Sequence, residues 1–136
     1  MLFRSRHNVH VIRALLPQGV GLLCIVKANA YGHGALPVAR ALEEDGARML
    51  GVATVEEGVE LREGGVRLPV AVLGGVEPPQ AAEAHAHDLS AILFDRGQIG
   101  YLARAAEGTG RPFPVHVKVD TGMGRDRKST RLNSSH

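Results

Sequence analysis

The sequence has one cysteine, no tryptophan and only two tyrosines and three phenylalanines. One cysteine cannot close an internal disulfide. Cys24 lies inside an apolar run and reads as a small core filler, too deep to be a nucleophile. Long hydrophobic stretches are also missing, and none approaches the ~20 residues of a membrane-spanning helix. A basic surplus is present only on paper. The formal charge is +2, but the tail "DRKSTRLNSSH" holds Arg127, Lys128 and Arg131 against Asp126, and the opening "MLFRS" adds Arg4. With those set aside, the sixteen basic and fourteen acidic residues become twelve and thirteen, with no basic stripe. A nucleic-acid partner is therefore rejected. The 136 residues, 44% hydrophobic, suffice for one modest domain with its own core and are too few for two.

The two ends differ in character from what lies between. The tail is polar and Ser-rich, has neither helical nor strand period, and starts abruptly after a glycine-rich turn. "LFRS" and "RKSTRLNSSH" resemble peptides translated from sequencing adapters. The expectation is a non-native leader over residues 1–5, a native body over 6–125 and a non-native disordered tail over 126–136. An N-terminus of that kind carries no information about a secretion signal.

Between the ends, helical and strand patterns alternate. "RHNVHVIRALL" sets Val9, Ile12 and Leu16 on one helical face, stopped by Pro17-Gln18-Gly19. Strand-type runs follow in "VGLLCIVK", "MLGVAT", "VAVLGG", "LSAILF" and "FPVHVKVD". Helices are expected in "GALPVARALEEDG", "VEEGVELREGG", "PPQAAEAHAH" and "RGQIGYLARAAEGTG". Near-continuous apolar strands alternating with helices imply a parallel sheet buried on both faces. Such a chain is α/β: either part of a (β/α)8 barrel or an open doubly wound sheet. No G-x-G-x-x-G follows a strand, so the dinucleotide-binding version lacks support. Five strands cannot close an eight-stranded barrel, and a barrel of this length stops partway round.

Two stretches carry chemistry. In "VHVKVDTGMGR", period two puts Val115, Val117 and Val119 on one face and His116, Lys118 and Asp120 on the other. The valines suit covering helices. The polar trio suits either a barrel mouth or a solvated edge strand. In "IVKANAYGHG", Leu23, Ile25 and Lys27 share one face, with Lys27 at the strand's C-terminal end. A low-dielectric pocket there would depress the lysine pKa and favour the neutral amine that attacks an aldehyde, whereas a lysine at a strand end can also simply reach solvent. Tyr31 could hold an anionic group or serve as an amphipathic boundary residue. Gly32 and Gly34 permit tight turning or close approach to a ligand, and His33 reads as a loop residue.

"VKANAYGHGA" resembles the pyridoxal-phosphate signature of alanine racemases, and "HVKVDTGMGR" is similar to that family's second signature, on its fifth barrel strand. "GVATVEEGVELREGG" reads like its second βα unit, and the resemblance runs from Arg6 to Arg125. It implies the first five βα units of a TIM-type barrel, without the family's C-terminal β domain. It also implies pyridoxal 5'-phosphate as cofactor, held covalently by Lys27, which acts as one of two catalytic bases and serves the D-alanine face. Tyr31 would bind the cofactor phosphate. Arg125 would contact the cofactor's phenolic oxygen and the substrate carboxylate. Lys118 matches the lysine that many members carbamylate, which would steady Arg125. The implied activity is interconversion of L- and D-alanine, in a cytoplasmic bacterial homodimer whose partner supplies the opposing tyrosine base. A chain of this length would hold half a site and be inactive alone. A racemase of serine or another amino acid, and a non-catalytic pyridoxal-phosphate carrier, are the competing readings.

Other signals read as structural. His85 and His87 in "HAHD" diverge on a helix, which leaves no metal site expected. Glu43-Glu44-Asp45 and Glu56-Glu57 read as solvated helix faces.

Overall fold

The computed structural model describes the backbone of residues 2–124 and the side chains of residues 6–124. Five strands form one sheet in the order β1-β2-β3-β4-β5: Leu23–Ile25, Met49–Val52, Val70–Val72, Leu89–Leu93 and Val115–Val117. Every neighbouring pair is parallel. Sequential order decides between the two expected architectures. A doubly wound sheet reverses its strand order at a switch point, whereas a barrel adds each strand beside the last, and crossovers of one hand keep every helix on one face. The fold is part of a (β/α)8 barrel: five strands, the first four each followed by a described helix.

The helices are α1 (Leu2–Leu15), α2 (Lys27–Gly32), α3 (Ala35–Glu44), α4 (Val55–Glu63), α5 (Ala81–Ala86) and α6 (Gln98–Ala106). A 3-10 turn over Pro78–Gln80 precedes α5, with prolines where a helix start has no use for an N–H. Thr54 caps α4 by accepting the Glu57 N–H at 3.3 Å. Gly46 after α3 and Gly65 after α4 have φ of 79° and 83°, the left-handed geometry that ends a helix.

The register assigns the two faces of the sheet. Leu50, Val70 and Leu89 line up across three strands, as do Val52, Val72 and Ala91, and all six are at most 1% exposed beneath the helices. Burying each such side chain contributes about 1.5–3 kcal/mol for the larger ones. The other face carries Ile25 beside Gly51 and Gly51 beside Ala71. Here the expectation of burial on both faces fails: Leu23 and Ile25 are 44% and 37% exposed, because nothing among the described residues closes the ring over them. Val115 and Val117 do align with the helix-side residues Ala91 and Leu93, but both are exposed, with no described helix beyond β5.

Two other expectations need correction. α1 begins at Leu2, not Arg6, and of its expected apolar face only Val9 is buried, since α1 rests on α3 alone of the larger contacts while Ile12 faces out. Asp45 is not solvated. It is 5% exposed, its carboxylate accepts Arg6 Nε at 3.1 Å and Nη2 at 2.9 Å, and its carbonyl accepts Arg13 Nη1 at 2.6 Å. The Arg6 guanidinium holds this carboxyl below the usual carboxylate range. His85 is a core histidine, with Nε2 3.2 Å from the Arg111 carbonyl and its ring 5.3 Å from that of Phe113. His87 Nδ1 lies 3.0 Å from the Glu83 carbonyl. Among the described residues no three His, Cys, Asp or Glu gather where a metal could bind, and no helix is long and apolar enough to cross a membrane.

Candidate active site

At the C-terminal ends of the strands, the helix-free face of the sheet forms a cleft of about 760 Å³. Its floor includes Ala53, Ala71 and Gly74, and its rim carries Lys27, His116 and Lys118. Small residues in the middle leave the space. Gly51 is part of the same economy: a Cβ there would lie 2.7 Å from Ile25 Cδ1 and 3.1 Å from Leu73 Cδ1, which already fold over it. The C-terminal rim is where parallel barrels place reacting groups, since strand ends and the following loops converge there.

Lys27 reaches the cleft by a route that alternation alone does not describe. The strand stops at Ile25, and Val26 turns inward, 1% exposed, with its N–H donated to the Gly51 carbonyl at 2.8 Å. Lys27 is half-buried and opens α2, whose interior is left-handed. Ala28, Asn29, Ala30 and Tyr31 have φ between 51° and 54°. None is glycine, and the left-handed region costs an L-residue roughly 1–2 kcal/mol each. Four in a row persist only where the surroundings hold them.

The restraints are visible. The Ala30 N–H donates to the Val26 carbonyl at 2.9 Å and the Gly34 N–H to the Asn29 carbonyl at 3.0 Å. Asn29 Oδ1 accepts the Ala35 N–H at 2.7 Å, which ties the turn to the start of α3. At the near end, Glu57 Oε1 accepts the Ala28 N–H at 2.7 Å, and Glu57 Oε2 accepts the Ala53 N–H at 2.7 Å. Glu57, expected to be solvated, therefore links the residue after Lys27 to the end of β2. The available signal was Thr54-x-x-Glu57, a capping-box spacing; here the threonine half caps the helix while the carboxylate turns to neighbouring strand ends. Gly32 and Gly34, at φ 83° and 89°, complete the turn as expected.

On the far rim, Asp120 Oδ1 accepts the Gly122 N–H at 2.9 Å and the Gly124 N–H at 3.1 Å. These donors, Gly122 first, hold its carboxyl below the ordinary aspartate range and fold "DTGMG" into a compact loop. The structure thus brings Lys27 and Lys118 to one cleft. Tyr31 sits in the left-handed turn, 61% exposed, and is not among the cleft-lining residues. Arg125 lies outside the described residues. Cys24 is half-buried against the core, and burial pushes its thiol pKa up.

The cleft is of ordinary small-molecule size, apolar along its floor, with two primary amines at its rim.

Comparison with known proteins agrees with the fold. Residues 2–126 match the family model described as alanine racemase, N-terminal domain. The alanine racemase of Symbiobacterium thermophilum is 52% identical over 121 residues, covering 88% of this chain and 32% of that protein. Among solved structures, alanine racemase from Clostridium difficile 630 superposes with a TM-score of 0.85 at 33% identity, covering 89% of this chain and 32% of that one. A histidine racemase from Leuconostoc mesenteroides subsp. sake gives a TM-score of 0.80 at 30% identity, covering 91% and 33%. The chain spans about a third of the length of the relatives it matches.

Proposed function

This chain belongs to the alanine racemase family through its N-terminal barrel domain, and on that premise we propose that it supplies the lysine side of a pyridoxal-phosphate-dependent racemase site acting on alanine. The observation that carries the reading is the position of Lys27: past the end of β1, half-buried, on the rim of the cleft that also holds Lys118.

The cofactor, when bound, supplies an electron sink for the charge left when Cα loses its proton. Lys27 would hold the cofactor through Nζ and would serve as the base on one side of Cα, the side that interconverts with D-alanine, taking the proton in one direction of the reaction and supplying it in the other. Tyr31, exposed beside the cleft, would donate its hydroxyl to the cofactor phosphate, and Arg125 would contact the cofactor's phenolic oxygen and the substrate carboxylate with its forked guanidinium. Carbamylation of Lys118 would steady Arg125. Ala71 and Leu73 would give the reacting carbon an apolar floor. Racemisation also needs a base on the opposite side. In this proposal it is a tyrosine contributed by the partner of a homodimer, and it belongs to the part of the family's length beyond the third spanned here. In this proposal the described residues supply the Lys27 side of that pair of bases.

The histidine racemase of the same fold favours one second reading, in which the parent enzyme acts on an amino acid other than alanine. Chiral chromatography of the intact protein's products from L-alanine, L-serine and L-histidine separates the two. For the chain itself, pyridoxal phosphate is added to the purified protein and its visible absorbance followed. A lysine-bound spectrum that disappears in Lys27→Ala supports the assignment; one that persists in that variant rejects it.

A further inference from the structure

The geometry points to Glu57 as the positioning residue for Lys27: its carboxylate anchors the left-handed turn that presents the Lys27 amine to the cleft. The inference rests on the cofactor reading proposed above and adds to it a residue three elements further along the chain.

Glu57 is itself rigidly placed. α4 is seated by Val55 and Leu61, both 0% exposed, and by Gly58, which lies so close to Leu89 that an added Cβ would sit 2.7 Å from Leu89 Cδ1. Between those buried contacts, Glu57 cannot follow a drifting loop; the loop must follow Glu57. Its two oxygens make two different ties, Oε1 to the Ala28 N–H and Oε2 to the Ala53 N–H, each 2.7 Å. Ala28 is the first left-handed residue and directly follows Lys27, while Ala53 lines the cleft. One charged group thus sets the spacing between the lysine's backbone and the cleft floor. The charge matters because an ionised carboxylate can accept on both oxygens, and such bonds are the strong, short kind. Asn29 fixes the other end of the turn through Ala35. A side chain that capped only its own helix would have no reason to reach across to the N–H after Lys27.

The test uses the full 136-residue chain, unsubstituted and as Glu57→Gln and Glu57→Ala. Two readouts are taken: hydrogen exchange of the Ala28 and Ala53 amides by NMR, and the site of pyridoxal-phosphate labelling after borohydride reduction, located by mass spectrometry with Lys128 as internal reference. In Glu57→Ala both amides should exchange about tenfold faster, the size expected from losing one charge-assisted hydrogen bond each. The Lys27 share of the label should fall by a similar factor. Glu57→Gln keeps one acceptor oxygen, so one amide stays protected and the label falls by less. Faster exchange with an unchanged Lys27 share would reduce Glu57 to a structural cap and overturn the proposal. Unchanged exchange would overturn it too. If Glu57→Ala does not fold, Glu57→Gln decides by the same two readouts, and loss of the whole fold in Glu57→Gln would also overturn a role local to the turn. An unsubstituted chain that labels Lys27 no more than Lys128, with both amides protected, instead sinks the cofactor reading itself.

Discussion

Lys27 and Lys118 line the same cleft although one follows the first strand and the other the fifth, with the whole sheet between them. Parallel, sequential strands make this possible, because every C-terminal end lies on one rim. In the proposed site the consequence is a division of labour. The amine on the rigid left-handed turn engages the cofactor, and the amine on the far rim serves the loop leading to Arg125.

Gly51, on the inner face of the sheet, and Gly74, in the cleft lining, should respond differently to alanine. The groups crowding Gly51 are side-chain ends of Ile25, Leu73 and Leu23 on an open face, free to rotate away. Gly51→Ala should therefore change stability by less than about 1 kcal/mol. At Gly74 the obstacle is the backbone carbonyl of Ala53, which cannot rotate away. Gly74→Ala should cost about 1–3 kcal/mol, as overpacking does. Urea unfolding of the two variants checks the contrast.

Acid should undock α1 before it unfolds the sheet. Asp45 is held below its ordinary carboxylate pKa, chiefly by its hydrogen bonds from Arg6. A depressed folded-state pKa contributes stability that is present above the unfolded value of about 3.9 and lost as pH falls through the folded value. Amide exchange in α1 and α3, compared with β2 to β4 between pH 6 and pH 3, should show the helix pair loosening first. Asp45→Asn should remove most of that pH dependence; an unchanged profile would contradict the assignment.

Arg62 should not be replaceable by lysine. Its guanidinium donates to four carbonyls: His87 at 2.9 Å, Val66 at 2.8 Å, Leu68 at 2.7 Å and Asp88 at 3.1 Å. A lysine ammonium lacks the planar fork that reaches them together. Arg62→Lys should destabilise the chain by about 1–3 kcal/mol through carbonyls left unpaired in a half-buried site. Calorimetry gives the number.

Cys24 should alkylate slowly. Burial raises its thiol pKa, so less thiolate is present at any given pH than in the unfolded chain. Iodoacetamide at pH 8 should react faster with the urea-unfolded chain than with the folded one; equal rates would place Cys24 in solvent.

Most of the scaffold was legible because its signals are local. Glycine and proline punctuate "GALPVARALEEDG" and "PPQAAEAHAH" where α3 and the turn before α5 begin or end. What escaped notice was of another kind. Asp45 and Glu57 read as solvated acids because a carboxylate on a helix gives no local sign of its partner. Those partners, Arg6 and the Ala28 N–H, lie 39 and 29 residues away. The left-handed turn was half visible. Gly32 and Gly34 announced a turn, but alanine, asparagine and tyrosine with positive φ have no sequence signature of their own.

The amino-acid order alone settled that strands and helices alternate, where most of them fall, and that His116 sits between Val115 and Val117 in β5, since period-two and period-3.6 patterns act over a few residues. Tertiary structure alone decided that Lys27 leaves the strand before reaching the rim and that Glu57 holds the turn behind it. Those outcomes depend on which strand ends are brought side by side, and a hydrogen bond between neighbouring strand ends takes no account of how many residues separate them along the chain.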